Sequence, residues 1–364
     1  MHVLFVKLGA IGDAVMALSL VPALEATHPG ARLVWMCGRS IEPLLRLFPQ
    51  IHELIVVDDR ALLGPSRVKS LLELLHLQKK ILGRRFDLVL HGNVDWRYRL
   101  LTAAVRAGET RGWTRSKRRP WPVPGRYHGD EYARLVAQVE LPERRHWLPP
   151  APTFSVAPAL RESLAGPGPL IVIAPGGAKN ILADSSLRRW PLAHYVSLGQ
   201  ELVRRGYRIA LTGGETDRWV QPAFSAIPHL DLIGRTSLPE LLGVYSLAAA
   251  VVSHDTSSVH LPRLVNVPVV ALFGPTTPTQ FFPAGAKGRV IWGGEKLACR
   301  PCYDGRHYSP CGKNICMISI SVEQVLGAVE EICAGEAADH SRDATNSYAP
   351  ALTAAPQTHR SSLR

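Results

Sequence analysis

Residues 251–276 read VVSHDTSSVHLPRLVNVPVVALFGPT. An apolar strand ending at Ser253 runs into the turn His254-Asp255-Thr256-Ser257-Ser258, a short helix follows over 257–265, and the next strand, 268–273, has no polar side chain. A strand without a polar face is covered on both sides, as in a parallel sheet. The turn leaves hydroxyls and unpaired backbone N–H groups at a helix start, where the helix dipole also favours negative charge, so it suits a diphosphate. A second glycine-rich turn lies near the N-terminus: the strand 2–6 leads into Lys7-Leu8-Gly9-Ala10-Ile11-Gly12-Asp13 and then an apolar helix. That turn sets one carboxylate in a crevice. One half of the chain is thus suited to hold a base and the other a phosphorylated donor.

Outward from these turns, short β-rich apolar runs alternate with longer helical patterns. The first half carries strands over 32–36, 53–57 and 87–91 and helices over 13–27, 42–47, 67–83 and 96–107. The second carries strands over 170–174, 208–212, 230–233 and 249–253 and helices over 192–205, 217–226 and 238–247. This alternation predicts a doubly wound parallel α/β sheet in each half. The Pro-rich stretch 149–169 reads as a linker, which gives one domain over 1–160 and another over 165–334. After a last helix over 322–333, the tail 335–364 is rich in Ala, Ser, Thr and Pro and is expected to be disordered. Two such sheets facing each other place the carboxyl ends of their strands around a shared cleft, and both turns fall at such ends.

Composition narrows the function. A chain of 364 residues with 46% apolar content can build two cores. No apolar run reaches the ~20 residues needed to cross a bilayer, and Asp13 interrupts the stretch that would serve as a signal peptide. Six cysteines in a chain this size do not form a secreted disulfide framework, which places the protein in the cytosol. A net charge of +12 implies an anionic partner. A nicotinamide-dependent dehydrogenase is disfavoured: the spacing is Gly9-x-x-Gly12-Asp13, and Cys37-Gly38-Arg39 stands where a ribose-binding acid would follow the second strand.

Gly12-Asp13, Pro175-Gly176-Gly177-Ala178, Arg188-Arg189-Trp190-Pro191, Gly213-Gly214-x-x-Asp217, Asp255-Thr256-x-x-x-His260 and Phe273-Gly274-Pro275-Thr276 together resemble glycosyltransferase family 9, the bacterial heptosyltransferases of lipopolysaccharide core assembly. The resemblance covers about residues 1–330 in consistent order. It implies the GT-B fold, two Rossmann-like domains facing across a cleft, with an acceptor-binding N-terminal domain and a nucleotide-sugar-binding C-terminal one. It implies inverting transfer of heptose from ADP-heptose to an anionic glycolipid, at the cytoplasmic face of the inner membrane, with no nucleic-acid partner.

Residue by residue, the resemblance makes Asp13 the catalytic base. Arg188 stands where the family has a Lys on the donor phosphates, Asp217 where an acid holds the donor ribose, and Thr256, Ser257 and Ser258 in the diphosphate turn that His260 closes. Ser257 departs from a common Gly. Asp255 is expected to orient the turn, and Lys179 to add charge beside the leaving group. Independently of family, inverting transfer needs one carboxylate on the acceptor face and stabilisation of the departing diphosphate. The chain has no Asp-x-Asp pair to hold Mg²⁺, so metal-independent chemistry is expected. The simpler reading of Asp13, Thr256 and Asp217 is as helix caps.

Two further segments stand out. Arg111, Arg115, Lys117, Arg118, Arg119 and Arg126 are interleaved with Trp113 and Trp121, a pattern suited to a phosphorylated lipid headgroup. Cys299-x-x-Cys302, followed by Cys311 and Cys316 in the loop 299–316, has the spacing of a structural Zn or Fe site. The expected function is therefore heptosyl transfer to a lipopolysaccharide-type acceptor. The alternatives are a GT-B transferase using another nucleotide sugar on a different glycan or protein, and an inactive binding subunit of an envelope-assembly complex.

Overall fold

A computed structural model of the chain describes residues 1–114, 121–138, 147–179, 184–303 and 308–346, with side chains to Gly335. The first half contributes strands β1 (His2–Val6), β2 (Arg32–Gly38), β3 (Ile51–Val57), β4 (Arg85–His91) and β5 (Arg106–Gly112). They form one parallel sheet in the order β3-β2-β1-β4-β5. The second half contributes β6 (Leu170–Ala174), β7 (Arg208–Leu211), β8 (Leu230–Asp231), β9 (Ala250–His254), β10 (Val269–Phe273) and β11 (Gly288–Trp292). Its parallel sheet runs β11-β10-β9-β6-β7-β8.

Alternation of side chains across a strand explains the layers. On β1, Val3 and Phe5 enter one apolar layer while Leu4 and Val6 enter the other. On β6, Leu170 and Val172 face one side and Ile171 and Ile173 the other. The layer containing Val3 and Phe5 also contains Leu170, Val172 and Leu261, so a single apolar cluster runs between the two sheets and fixes one against the other.

The reversal of strand order sets the position of the site. In the first sheet the chain returns to the centre at β1 and β4, and in the second at β6 and β9. Loops leaving strands at such switch points open a crevice. The turns after β1, β6 and β9 are Lys7–Asp13, Pro175–Ala178 and His254–Ser258, the motif segments of the sequence.

Some elements differ from expectation. The helix expected over 96–107 is only Arg97–Leu100, and the chain then forms β5, an edge strand whose residues Arg106–Thr110 are exposed. β11 is a second unexpected edge strand. β5 is polar and carries two glycines, because an edge strand has little to bury, and β11 leaves all five of its residues at least partly exposed. The helix 13–27 is two segments, Ile11–Ala17 and Leu20–Thr27. The last helix runs Val322–Asn346, beyond the expected stop, because Glu336, Ala337 and Ala338 are good helix formers. The remainder of the expected tail, 347–364, lies outside the described residues. Among the described residues no helix is long and apolar enough to cross a membrane.

Candidate active site

Asp13 lies in the first turn of the Ile11–Ala17 helix but caps nothing; the cap position is Ala10, and no side chain bonds the helix start. The Asp13 carboxylate instead accepts a hydrogen bond from Lys7 Nζ at 2.8 Å. Lys7 directly follows β1 and has only 4% of its side chain exposed, whereas Asp13 keeps 37% of its side-chain surface exposed. Burial among protein atoms works against ionisation of Asp13, but the Lys7 ammonium outweighs it, with smaller help from His128 and His260, and holds the carboxyl below its ordinary range. Asp13 is therefore a carboxylate at neutral pH, anchored on one oxygen. Lys7 also sits 5.7 Å from the centre of the buried Tyr132 ring.

The second half meets this turn directly. A Cβ at Gly12 would lie 2.7 Å from His260 Cδ2, so only glycine lets the turn that carries Asp13 approach the histidine. Arg263 Nη2 donates to Tyr127 Oη at 3.0 Å, and His128 packs edge-on against Phe281 at 5.0 Å between ring centres. Burial holds His260 neutral, its pKa pushed down to about 3 with Arg263 adding to the effect, and His128 down to about 4.

The turn after β9 is held by hydrogen bonds within it and to neighbouring segments. Thr256 Oγ1 accepts from the Ser258 N–H at 3.3 Å and lies 3.2 Å from Ser253 Oγ, so it is a cap. Ser258 Oγ accepts from Tyr245 Oη at 3.1 Å, and Ser257 is half-buried beside it. Asp255 accepts from Thr276 Oγ1 at 2.7 Å and pairs with Arg188 Nη1 at 3.5 Å, which aims the guanidinium at the turn. Arg188 Nε and His260 Nδ1 are buried with no hydrogen-bond partner. An unpartnered buried donor is costly, and an anionic acceptor would satisfy it.

Asp217 stands behind the turn. Its two oxygens accept the backbone N–H groups of Gly177 and Gly214, each at 2.8 Å, tying the turns after β6 and β7 together. The resemblance puts Asp217 where an acid holds the donor ribose; here its carboxylate is buried and bonded to backbone N–H groups. Gly177 needs glycine for its φ of +80°. Beside it a cavity of about 270 Å³ is lined by Lys179, Asp184, Arg189, Thr216, Asp217 and Trp219. Arg189 donates to the Gly177 carbonyl at 3.0 Å, pairs with Asp184 at 2.9 Å and lies 5.6 Å from the centre of the Trp219 ring. Sequence reasoning passed over Lys7, His128, Arg189 and Trp219. Lys7 and Arg189 lie inside motifs already in view, and the available signal was a cation beside a motif carboxylate or phosphate cation.

Other expectations fare differently. Among the described residues no group of three or more His, Cys, Asp or Glu side chains is placed to hold a metal ion, so the Zn or Fe expectation at Cys299, Cys302, Cys311 and Cys316 is not supported. Cys316 is buried in the core, Cys311 Sγ accepts from the Asn314 N–H at 3.3 Å, and Cys299 is exposed. Burial pushes the Cys302 and Cys316 thiols up, which favours the protonated form over the thiolate a metal requires. In the basic segment, Arg115, Lys117, Arg118 and Arg119 lie outside the described residues. Its tryptophans are structural: both indole N–H groups donate to the Glu131 carbonyl, Trp113 at 3.4 Å and Trp121 at 3.3 Å.

The profile of glycosyltransferase family 9 (heptosyltransferase) matches residues 74–309. The chain belongs to glycosyltransferase family 9. Lipooligosaccharide heptosyltransferase 2 of Haemophilus influenzae is 25% identical over 316 residues, 80% of this chain and 88% of that protein. The solved structure of Escherichia coli ADP-heptose lps heptosyltransferase II superposes with a TM-score of 0.68 at 22% identity, over 93% of this chain and all (100%) of that one. The E. coli heptosyltransferase WaaC with ADP-2-deoxy-2-fluoro heptose gives a TM-score of 0.66 at 17% identity, over 91% and 99% of the two chains. The family 9 protein is a glycosyltransferase of GT-B fold, and its two doubly wound halves are the expected pair.

Proposed function

We propose that this family 9 protein transfers heptose from ADP-heptose, with inversion, to an anionic lipopolysaccharide core-type acceptor at the cytoplasmic face of the inner membrane. The observation that carries the reading is the contact between the Gly12–Asp13 turn and His260, which puts a cleft-facing carboxylate beside the donor turn. Relatives named for heptose transfer, and a family 9 neighbour solved with an ADP-heptose analogue, support the donor.

Each residue then has a chemical task. The acceptor hydroxyl gives its proton to the free oxygen of Asp13 as its own oxygen bonds to the anomeric carbon. The bond from that carbon to the diphosphate breaks on the opposite face, and ADP departs with the electron pair. Lys7 keeps Asp13 ionised and oriented. Arg188 and the N–H groups of the 256–258 turn take up the charge on the departing diphosphate, with Lys179 at the rim. Neutral His260 supports the turn. The cavity in front of Asp217 and Trp219 receives the nucleoside end, and Asp255 aims Arg188. The basic segment 111–126 gathers the acceptor's phosphates.

The test is a panel of nucleotide sugars, read by melting temperature and by release of nucleoside diphosphate with a heptose-deficient lipopolysaccharide core as acceptor. ADP-heptose is expected to raise the melting temperature most, by linkage, and to release ADP only when acceptor is present. Stronger stabilisation by another sugar nucleotide would overturn the donor assignment. Binding without turnover on any acceptor would make the chain a binding subunit.

A further inference from the structure

The helix Arg67–Ile81 has two apolar faces, and a helix at the surface of a globular protein needs only one. Leu77 and Ile81 are buried, and Leu74 packs beside them against the sheet. On the opposite side Val68, Leu71, Leu72 and Leu75 are 68%, 56%, 61% and 56% exposed. At 3.6 residues per turn these four positions fall within an arc of about 100°, a continuous stripe along two turns. The stripe does not end with the helix. Gln78 donates to the carbonyls of Leu100 and Leu101 at 3.1 and 3.2 Å, which brings alongside a segment whose Leu100 and Trp96 are 44% and 68% exposed. An exposed apolar patch of this size on a soluble surface marks an interaction site.

Charge and placement select the partner. Arg67, Lys69, Lys79 and Lys80 border the stripe, all exposed, and none forms an ion pair among the described residues. An apolar stripe edged by unpaired cations is the pattern of a helix lying in the interface of an anionic bilayer. A helix in a doubly wound sheet runs opposite to the strands, so the N-terminal end of this one sits at the carboxyl ends of β1 to β4, where the cleft opens. That end is held there: Ser70 Oγ donates to the Ala61 carbonyl at 3.1 Å, and Glu73 accepts from the Asp58 N–H at 2.9 Å, just after β3.

We infer that Val68, Leu71, Leu72 and Leu75, with Arg67, Lys69, Lys79 and Lys80, dock the N-terminal domain on an anionic lipid surface and bring the Asp13 crevice to headgroup level. The inference deepens the acceptor reading above by naming the surface that meets the lipid. It predicts a division of labour in which the stripe supplies lipid affinity and the cleft supplies chemistry.

The experiment is co-sedimentation of the full chain with vesicles of phosphatidylcholine alone or of phosphatidylcholine with phosphatidylglycerol, neither carrying acceptor, together with sedimentation velocity in solution. Wild type is expected to bind the anionic vesicles and not the neutral ones, with binding weakened by salt. The variant Leu71→Gln/Leu72→Gln/Leu75→Gln should lose at least about tenfold in partitioning, because those apolar groups no longer leave water. Lys69→Gln/Lys79→Gln/Lys80→Gln should weaken binding and flatten its salt dependence. Both variants alter exposed positions only, so melting temperature and transfer to a de-acylated, water-soluble acceptor should stay at wild-type level. Vesicle binding unchanged in the leucine variant, or absent in wild type, would overturn the inference. A leucine variant that instead converts a dimer to a monomer would overturn it in favour of an interface between copies. Because the vesicles contain no acceptor, failure here leaves the sugar-transfer test untouched, and failure there leaves vesicle binding standing.

Discussion

The two turns that face each other across the cleft use their polar groups in opposite ways. After β1, one carboxylate is bonded by one ammonium and otherwise open: Asp13 spends a single oxygen on Lys7. After β9, the side chains are bonded to neighbours in and around the turn, Thr256 to Ser258 and Ser253, Asp255 to Thr276 and Arg188, Ser258 to Tyr245, and Asp255 and Thr256 are buried where Asp13 is not. The buried Nε of Arg188 has no such partner. A group that must change protonation needs freedom on one side, whereas a group that must hold charge through a reaction needs to be rigid beforehand. On the proposed chemistry, the hydroxyl-rich turn is the scaffold and the poorer one the reagent.

The strongest way to break that contrast is Asp13→Asn. The amide keeps the shape but removes the basicity, so turnover should fall by roughly 10²–10⁴-fold while donor affinity and fold persist. A variant with more than about a tenth of wild-type turnover would return Asp13 to a structural part. Lys7→Met is next. Misplacing the base should lower turnover by roughly 10- to 100-fold. Because Asp13 keeps access to water, stability should fall by about 1 kcal/mol or less. With the ammonium gone, burial is opposed only by the smaller influence of His128 and His260, and the Asp13 pKa rises, so the acid limb of the rate profile should move to higher pH. An unmoved limb would mean that Lys7 does not tune the base.

A smaller effect probes the join itself. Gly12→Ala places a methyl 2.7 Å from His260 and should cost about 1–3 kcal/mol by overpacking. Adding His260→Ala should recover part of that loss, with a coupling of about 0.5–3 kcal/mol in a double-mutant cycle. Strict additivity would mean that the turns do not touch in solution. The gentlest test is acid. His254 and His260 are held down to about 3, and His91 and His128 to about 4, by burial, so the folded chain refuses protons that the unfolded chain accepts near 6.5. Stability should be full above about pH 6.5 and decline as pH falls from there toward 4. A melting temperature flat between pH 7.5 and 5 would contradict the buried neutral state.

The interior of both sheets was legible because strands covered on both faces must be apolar throughout, as in Val269–Phe273. One edge strand of each sheet was not, since Arg106–Gly112 and Gly288–Trp292 bury little, whereas the edge strands Ile51–Val57 and Leu230–Asp231 were. In the site, the positions of Asp13 and Thr256 just after strands could be read from the two turns, and that of Arg188 from the family resemblance. Their partners could not. Asp217 bonds a glycine 40 residues away, a relation that exists only once β6 and β7 are paired, and His260 determines what Gly12 can be, a relation that exists only once the two sheets are folded against each other. The cysteine spacing misled for a related reason: spacing brings thiols near but does not say that Cys316 will be drawn into the core.

The close fit of Gly12 under His260 also bears on how such a protein could be recombined. The two halves look like interchangeable modules, each with its own sheet, yet a residue of one is shaped by a ring from the other. A chimaera joining this N-terminal half to the C-terminal half of a distant relative would inherit a working base and a working donor turn and still misalign them if a larger side chain replaced His260. The donor half can drift in substrate preference only while that one position stays compatible with its counterpart, so the exchangeable unit is the whole chain rather than either domain.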